Sequence, residues 1–257
     1  MGATELKIDT RRQKILELLS RTGRVFVAEL SREFGTTAAT IRTDLDALER
    51  AGELERVQGG AIAKPKMARR ESATERLPEK QAIGAAAAAL IRDGDTLFMN
   101  SGTTTTEVAY AIRQHRKLNI VTNSVAIASE LSEVPTFRVI LLGGSLSTQY
   151  GFTYGGDAQE QLMKYQADHA IVSIDGVSRE EGISTYHADE AILVRLMTER
   201  AKSTVVVADH TKIGRAGFTR ICPLENVDIL VTDSACPREA TAPLERDGLT
   251  ILRAEGK

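Results

Sequence analysis

Residues 95–108 combine a short strand pattern, a tight turn and a helix start, and this stretch constrains the fold more than any other. Thr96 to Met99 is a run of β-forming and apolar residues, Ser101-Gly102 interrupts it, and an amphipathic helix follows through Ile112. Four consecutive threonines, residues 103–106, stand where that helix begins. Their hydroxyls and the unpaired N–H groups of the first turn favour an anion of the size of phosphate. The alternative is that a threonine simply caps the helix.

Strand and helix patterns alternate from residue 96 to residue 233, which predicts an α/β domain with a mostly parallel sheet and helices on both faces. In such sheets, ligands bind beyond the carboxyl ends of the strands. Polar or glycine clusters stand at almost every predicted strand end. They give the candidate effector-binding residues Ser101, Gly102, Thr103, Thr104, Thr105, Asn123, Ser124, Gly143, Gly144, Asp175, Gly176 and Lys212.

These residue types suit a phosphorylated sugar. The threonine turn and the helix start at Asn123-Ser124 would donate hydrogen bonds to a phosphate, and Lys212 would add a positive charge. Asp175 would accept from sugar hydroxyls, while glycines let the backbone approach closely. Each also has an ordinary alternative, with Lys212 as a surface lysine and Asp175 as a turn residue. His187 and Glu190, one turn apart at a helix start, either line the mouth of this site or form a surface pair.

The first 62 residues predict three helices followed by a hairpin. The third helix, capped by Thr37, carries Ile41, Leu45 and Leu48 at helical spacing and turns polar side chains to water. This order is typical of a winged helix-turn-helix domain, whose third helix enters the major groove of DNA. The alternative is a docking or dimerisation domain with a solvated charged face. The candidate DNA-binding residues are Arg11, Thr37, Thr40, Arg42, Thr43, Arg56, Gln58 and Gly59, with Arg12 as a further phosphate contact.

The charge distribution supports two domains with different partners. Residues 1–70 hold 14 Lys and Arg against 10 Asp and Glu, whereas residues 71–257 hold 19 against 25. We therefore predict a DNA-binding domain over residues 1–63, a basic, proline-broken linker over 64–78, and an effector-binding and oligomerisation domain over 79–257.

Composition narrows the class further. Cys222 and Cys236 lack the spacing of a zinc or redox site, and the four histidines are scattered. The longest apolar stretch, residues 82–91, is about half the length of a membrane span, and the N-terminus has no signal-peptide pattern. These features predict a cytoplasmic protein without cofactor, metal or membrane partner.

The motifs together carry a family resemblance. Residues 40–45 (Thr-Ile-Arg-Thr-Asp-Leu) and 56–61 (Arg-Val-Gln-Gly-Gly-Ala) resemble the N-terminal signature of the DeoR family of bacterial transcriptional repressors, which usually has Arg in place of Thr43 and His in place of Gln58. The effector domain of the same family resembles residues 101–105, 121–124, 142–144, 175–177 and 208–212 of this chain. That domain is similar in fold to ribose-5-phosphate isomerases and CoA transferases.

The resemblance implies a repressor of a sugar catabolic operon, released from operator DNA by a phosphorylated sugar that the Gly-Thr-Thr turn and Lys212 bind. We expect a homodimer or homotetramer that presents two DNA-binding domains to two half-sites. The alternative is a phosphosugar isomerase, which needs a carboxylate general base such as Asp175 or Glu190, with Glu180 and Glu181 as further candidates. Such isomerases carry further acidic residues after the Asp-Gly pair, where this chain has Val177-Ser178-Arg179, so the sequence favours a sensor.

Overall fold

The computed structural model describes residues 8–22, 24–50, 53–63, 76–148, 150–245 and 248–255. The chain divides into two compact units, Met1–Glu71 and Ser72–Lys257. The larger part of the predicted linker, residues 64–75, lies outside the described residues.

The described part of the first unit has three helices and a small antiparallel sheet. Its core joins Ile15 of the first helix, Leu30 of the second and Ile41 and Leu45 of the third. Strand β3 lies between β1 and β2, so the predicted hairpin is extended by a third strand. The elements are α1 (Ile8–Thr22), β1 (Arg24–Phe26), α2 (Val27–Glu33), α3 (Ala38–Arg50), β2 (Leu54–Val57) and β3 (Gly60–Ala63).

The second unit contains a seven-stranded sheet in which every neighbouring pair is parallel. Its order is β15-β14-β12-β9-β4-β5-β6. These strands are β4 (Thr96–Met99), β5 (Asn119–Thr122), β6 (Arg138–Leu141), β9 (Ala167–Ser173), β12 (Ala201–Val207), β14 (Ile229–Asp233) and β15 (Thr250–Ala254). The helices are α4 (Leu77–Ala88), α5 (Thr103–Ala111), α6 (Val125–Ser132), α7 (Gly156–Leu162), α8 (Ala188–Glu199) and α9 (Arg238–Thr241).

Alternate residues of the strands supply two cores, one on each face of the sheet. Leu97 and Val205 pack with α4, α5 and α6, whereas Phe98 and Val206 pack with α7 and α8. This period-two division is what a strand covered on both faces requires. It confirms the predicted α/β fold class.

Several short elements escaped the sequence analysis. Strands β7 (Ser145–Ser147) and β8 (Phe152–Tyr154) form a hairpin, and β10 (Gly176–Ser178), β11 (Gly182–Thr185) and β13 (Thr219–Cys222) form a second antiparallel sheet. Helix α4 begins at Leu77, before the predicted end of the linker at residue 78. Pro78 can lie in its first turn because the N–H that proline lacks has no partner there. Among the described residues, every helix is too short or too polar to traverse a bilayer.

The strand order contains one reversal that locates a crevice. From β4 the chain proceeds outward to β5 and β6, and it then returns to β9 on the other side of β4. Adjacent connections at such a switch point leave the sheet in opposite directions, so a crevice opens at the carboxyl ends of β4 and β9.

Candidate effector site and nucleic-acid interface

Asn100 ties the two sides of this switch point together. It follows β4 directly and is 1% exposed. Its Nδ2 donates to the carbonyl oxygen of Ser173 at 2.9 Å, and its Oδ1 accepts from the N–H of Ser173 at 2.9 Å. The same Oδ1 accepts from Thr105 Oγ1 at 3.2 Å. One side chain thus links the ends of β4 and β9 to the first turn of α5. The sequence analysis missed it, although it stands between the strand and the turn.

Gly102 sets the direction in which α5 begins. It is the N-terminal residue before the helix and has an extended backbone. A Cβ atom here would lie 1.9 Å from Ser173 Oγ and 3.0 Å from its Cβ, so any residue other than glycine would have to displace the Ser173 side chain. This close approach brings the first turn of α5, with its unpaired N–H groups, to the carboxyl end of β9.

The four threonines have divided roles. Thr105 is fully buried and donates to Asn100, and Thr106 Oγ1 donates to the Gly102 carbonyl at 2.7 Å. The hydroxyls of Thr103 and Thr104 make no hydrogen bond to another described residue. Among the described residues, no side chain caps α5, so the simple capping explanation is wrong. The prediction that Thr105 contacts an effector is also not supported, because its hydroxyl donates to Asn100 inside the protein.

Glu190 is a buried carboxyl group in the first turn of α8. It is 7% exposed, and its Oε1 accepts from Ser101 Oγ at 2.8 Å and from Asn100 Nδ2 at 3.4 Å. Burial raises the pKa of Glu190 to about 8, the Ser101 hydrogen bond opposes the rise, and the negative charge of Asp175 adds to it. Glu190 therefore carries a proton at pH 7. Its position overturns the surface-pair interpretation, and the hydroxyl of Ser101, a predicted ligand donor, has an internal partner.

Asp175 and Lys212 meet at the same edge of the sheet. Asp175 Oδ2 accepts from Thr185 Oγ1 and from the N–H of Tyr186, both at 3.0 Å. Asp175 Oδ1 lies 3.6 Å from Lys212 Nζ, and the two side chains are 30% and 33% exposed. A partly exposed cation and a carboxylate held by two hydrogen bonds are thus paired beside the switch point, a pairing that the sequence analysis did not predict.

Lys212 lies on a short turn that Asp209 begins. Asp209 is 3% exposed and accepts from the Thr211 N–H at 2.9 Å and from its hydroxyl. Burial would raise the pKa of Asp209, but the Thr211 hydrogen bonds and the charges of Lys212 and Arg76 outweigh it and hold that pKa below its ordinary value. The Asp209 carboxylate therefore stays ionised and fixes the turn.

The two residues after β5, Asn123 and Ser124, also differ in their roles. Ser124 Oγ accepts from the Ile127 N–H at 3.3 Å and caps α6, so its predicted ligand contact is not supported. Asn123 is fully buried, and its Nδ2 donates to the Thr153 carbonyl at 3.2 Å. Its Oδ1 has no hydrogen-bond partner among the described residues. A buried acceptor without a hydrogen-bond partner destabilises the fold by about 1–3 kcal/mol unless another group donates to it.

The predicted glycines are explained by contacts within the protein. The Gly143 N–H donates to Gln161 Oε1 at 2.9 Å. A Cβ on Gly144 would lie 2.4 Å from the Tyr154 carbonyl oxygen, and one on Gly176 would lie 2.6 Å from the Arg215 carbonyl oxygen. Close packing requires glycine at these two positions, so the expected role of Gly143, Gly144 and Gly176 in approaching a ligand is not supported.

Helix α3 and its N-terminal cap carry four of the eight DNA-binding candidates, Thr37, Thr40, Arg42 and Thr43. Thr37 Oγ1 accepts from the Thr40 N–H at 3.1 Å and caps the helix. Arg42 and Thr43 are exposed, and Arg42 forms no ion pair within the described part of the chain. Thr43 Oγ1 donates back to the Ala39 carbonyl at 3.1 Å. An exposed, unpaired guanidinium on the third helix suits contact with nucleic acid.

The hairpin is attached to α3 and presents its turn to solvent. The Arg56 N–H donates to Glu49 Oε1 at 2.7 Å, and its guanidinium lies 3.6 Å from Asp46. Gln58 and Gly59 are exposed at the β2–β3 turn, where Gly59 has φ 84°. Among these candidates, Arg56 has part of its charge already balanced by Asp46.

Arg11 is a correction to the predicted interface. It is 5% exposed and is paired with Asp44, which is 2% exposed, on the inner side of α3. Arg12 shares the same carboxylate at 3.0 Å and is 32% exposed. Asp44 therefore fastens α1 to α3, and burial of the Arg11 guanidinium is at odds with the predicted phosphate contact. The helical spacing of the sequence alone did not distinguish the inner from the outer arginine.

Together, the two units define a class of protein, a transcriptional regulator with a winged helix-turn-helix DNA-binding unit and an α/β sensor unit in one chain. Residues 11–66 match the DeoR-like helix-turn-helix domain, and residues 75–234 match the DeoR C terminal sensor domain. The chain belongs to the DeoR family. It is a DNA-binding transcriptional repressor and not an enzyme.

Relatives are similar along nearly their whole length. The putative aga operon transcriptional repressor of Escherichia coli O157:H7 is 31% identical over 250 residues, covering 94% of this chain and 92% of that protein. The transcriptional repressor GlcR of Bacillus subtilis is 31% identical over 245 residues, covering 94% of each. The glycerol-3-phosphate regulon repressor of Escherichia coli K12 is 31% identical over 238 residues, covering 90% and 93%.

A solved ribose 5-phosphate isomerase A from Neisseria gonorrhoeae is similar with a TM-score of 0.39 and 13% identity, covering 52% of each chain. A likeness of this size carries no argument about activity.

Proposed function

We propose that the chain represses a sugar-related operon and that a phosphorylated sugar, bound at the switch point, releases it from operator DNA in the cytoplasm. The observation that carries the proposal is a continuous set of contacts. The start of α5 adjoins Ser101, and Ser101 bonds to Glu190. The charge of Asp175 acts on Glu190, and Asp175 pairs with Lys212 at 3.6 Å.

This arrangement suits a phosphate ester on electrostatic grounds. The N–H groups at the start of α5 and the hydroxyls of Thr103 and Thr104 offer donors to a phosphate, and Lys212 offers a positive charge. Glu190 is buried there without repelling an anion, because it is protonated at pH 7. The acceptor Asp175 Oδ1 is suited to a sugar hydroxyl. Relatives named for the aga operon and the glycerol-3-phosphate regulon support an effector of this chemistry.

Release follows if the ester binds the DNA-incompetent arrangement more tightly than the DNA-bound one. A coupling of about 2–3 kcal/mol would change the affinity for the operator roughly 30- to 150-fold. A homodimer or homotetramer would place two helix-turn-helix units on two half-sites.

A thermal-shift screen of the purified chain tests the effector class. Phosphorylated sugars are compared with the same sugars lacking phosphate, because only the esters are expected to stabilise the α/β unit. Ester at 100 times its Kd should add about 2.7 kcal/mol to the free energy of unfolding. If no ester in the panel stabilises the chain, the proposal is wrong.

Two substitutions then locate the phosphate. Lys212→Met and Thr103→Val should retain affinity for a duplex from the region upstream of the chain's own gene, measured by fluorescence anisotropy, but should lose release by the ester. Lys202→Met is the matched control, because Lys202 lies at the opposite end of β12, where it pairs with Asp168 at 2.7 Å. A normal response in Lys212→Met would contradict the phosphate assignment.

A further inference from the structure

Helix α4 is the first element of the α/β unit, and it follows the segment that joins this unit in sequence to the DNA-binding unit. Arg76 stands immediately before it, with φ 51° and ψ 38°. This left-handed conformation is uncommon for a residue other than glycine, asparagine or aspartate. A non-glycine residue retains it only where its surroundings hold it in place.

The direction of α4 places Arg76 at the carboxyl edge of the sheet. The helix has 12 residues and is about 18 Å long, and the chain then turns through residues 89–95 into the start of β4. The C-terminal end of α4 therefore lies at the amino edge of the sheet and its N-terminal end at the opposite edge. In agreement, the charge of Arg76 acts on Asp209, which begins the turn that carries Lys212.

A second contact joins α4 to the other half of the effector site. A Cβ atom on Gly84 would lie 2.7 Å from the carbonyl carbon of Glu107 and 2.8 Å from its oxygen, so α4 and α5 touch backbone to backbone. The buried Lys80 of α4 also acts on the Glu107 carboxylate, where it opposes the rise in pKa that burial causes. Helix α5 begins with the threonine turn, so a displacement of α5 is transmitted to α4.

We propose that α4 reports the occupancy of the effector site to the DNA-binding unit, and that Arg76 is the residue that responds to the bound anion. This inference rests on the function proposed above. Before binding, Lys212 pairs with Asp175 at 3.6 Å, and the charges of Arg76 and Lys212 act on Asp209. A phosphate dianion beside Lys212 adds two negative charges and competes with Asp209 for Arg76. As Arg76 turns to the anion, its backbone leaves the left-handed region, and the chain enters α4 in a new direction.

The test uses the full chain and separates the charge of Arg76 from its backbone conformation. Arg76→Gln removes the charge, and Arg76→Lys keeps it, while both retain a side chain in the left-handed position. Arg92→Gln is the matched control, because Arg92 is exposed at the amino edge of the sheet. The probes are glycerol 3-phosphate, glucose 6-phosphate and inorganic phosphate, and the DNA is the duplex from the upstream region of the gene.

Three quantities are measured for each variant: the duplex Kd without ester, the thermal stabilisation by ester, and the ratio of duplex Kd with and without ester. If the wild-type ratio is about 30, within the typical allosteric range, Arg76→Gln should lower it to less than about 3. Its duplex Kd without ester should be unchanged, and its affinity for the ester should fall no more than about threefold. The variant would then still bind the ester but would no longer couple that binding to the release of DNA. Arg76→Lys and Arg92→Gln should keep the wild-type ratio.

Gly84→Ala supplies an independent variant, because its Cβ forces α4 away from α5. We expect a changed ratio here too, and if this variant does not fold, the Arg76 pair decides the matter. An Arg76→Gln chain that binds ester and releases DNA as the wild type does would overturn the inference alone. A wild-type chain that no ester stabilises would overturn the proposed function, and this inference with it.

Discussion

Replacing Glu190 by glutamine isolates the proton that this carboxyl group holds inside the α/β unit. Burial raises the pKa of Glu190 from 4.5 to about 8, so the folded chain keeps the proton between these values while the unfolded chain has released it. The stabilisation from this group is complete below pH 4.5 and is lost as the pH rises towards 8. Glutamine mimics the protonated carboxyl group and can still accept from Ser101 and Asn100.

The magnitude follows from proton linkage. Within this window, each pH unit lowers the free energy of unfolding by up to about 1.4 kcal/mol. From pH 5 to pH 7 the wild type should lose about 2–3 kcal/mol relative to Glu190→Gln, equivalent to roughly 5–10 °C in Tm for a unit of this size. The free energy of unfolding of Glu190→Gln, relative to that of the wild type, should therefore increase as the pH rises.

Urea unfolding at pH 5, 6, 7 and 8 measures this difference. Far-UV circular dichroism is the suitable signal, because the chain has no tryptophan. Glu199→Gln is the control, since Glu199 is exposed at the other end of α8. If the difference between wild type and Glu190→Gln is the same at all four pH values, the buried proton does not exist and the electrostatic account of the site is wrong.

Three further experiments test other parts of the structure. Arg42→Ala should weaken binding to all duplexes and reduce the slope of log K against log salt by about 1, measured by fluorescence anisotropy between 50 and 200 mM salt, approximate limits for such titrations; an unchanged slope would exclude a phosphate contact. Asp44→Ala should destabilise the helix-turn-helix unit by about 3–5 kcal/mol in urea, because the buried guanidinium of Arg11 loses the carboxylate that it pairs with; a loss below about 1 kcal/mol would refute this. Gly102→Ala should abolish stabilisation by ester, since its Cβ meets Ser173 Oγ, and Ser173→Ala in the same chain should restore part of it; strictly additive effects would show that the two residues do not compete for space.

The fold could be predicted from the sequence where apolar periodicity was strong. Ile41, Leu45 and Leu48 recur at helical spacing, and all three are buried in the first unit. The parallel strands were recognisable because both faces are covered, which produces short, continuous apolar runs such as residues 96–99. Strands of three or four residues, such as β7 and β10, have too few positions to show alternation, and their pairing depends on partners distant in sequence.

The candidate site could be located from the sequence, but the role of each residue could not. Strand ends marked the correct edge of the sheet, because parallel strands place their carboxyl ends together. Whether a hydroxyl faces a ligand or an internal partner is decided by tertiary packing, as Thr105 and Ser124 illustrate. Arg11 and Glu190 were misjudged for the same reason, since charged residues are rarely fully buried and only their partners made burial possible. The oligomeric state stays a prediction.

The side-chain amide of Asn100 joins two parts of the sheet, the three strands β4, β5 and β6 and the four strands β9, β12, β14 and β15. Residues that follow β5 and β6 belong to one half, and residues that follow β9 and β12 belong to the other. The backbone pairing of β4 with β9 and the Asn100–Ser173 hydrogen bonds hold the two halves together, so the loops of either half can change without disturbing this junction. Substitutions in the loops of one half of the sheet can therefore alter selectivity for small molecules, while Asn100 and Gly102 stay unchanged.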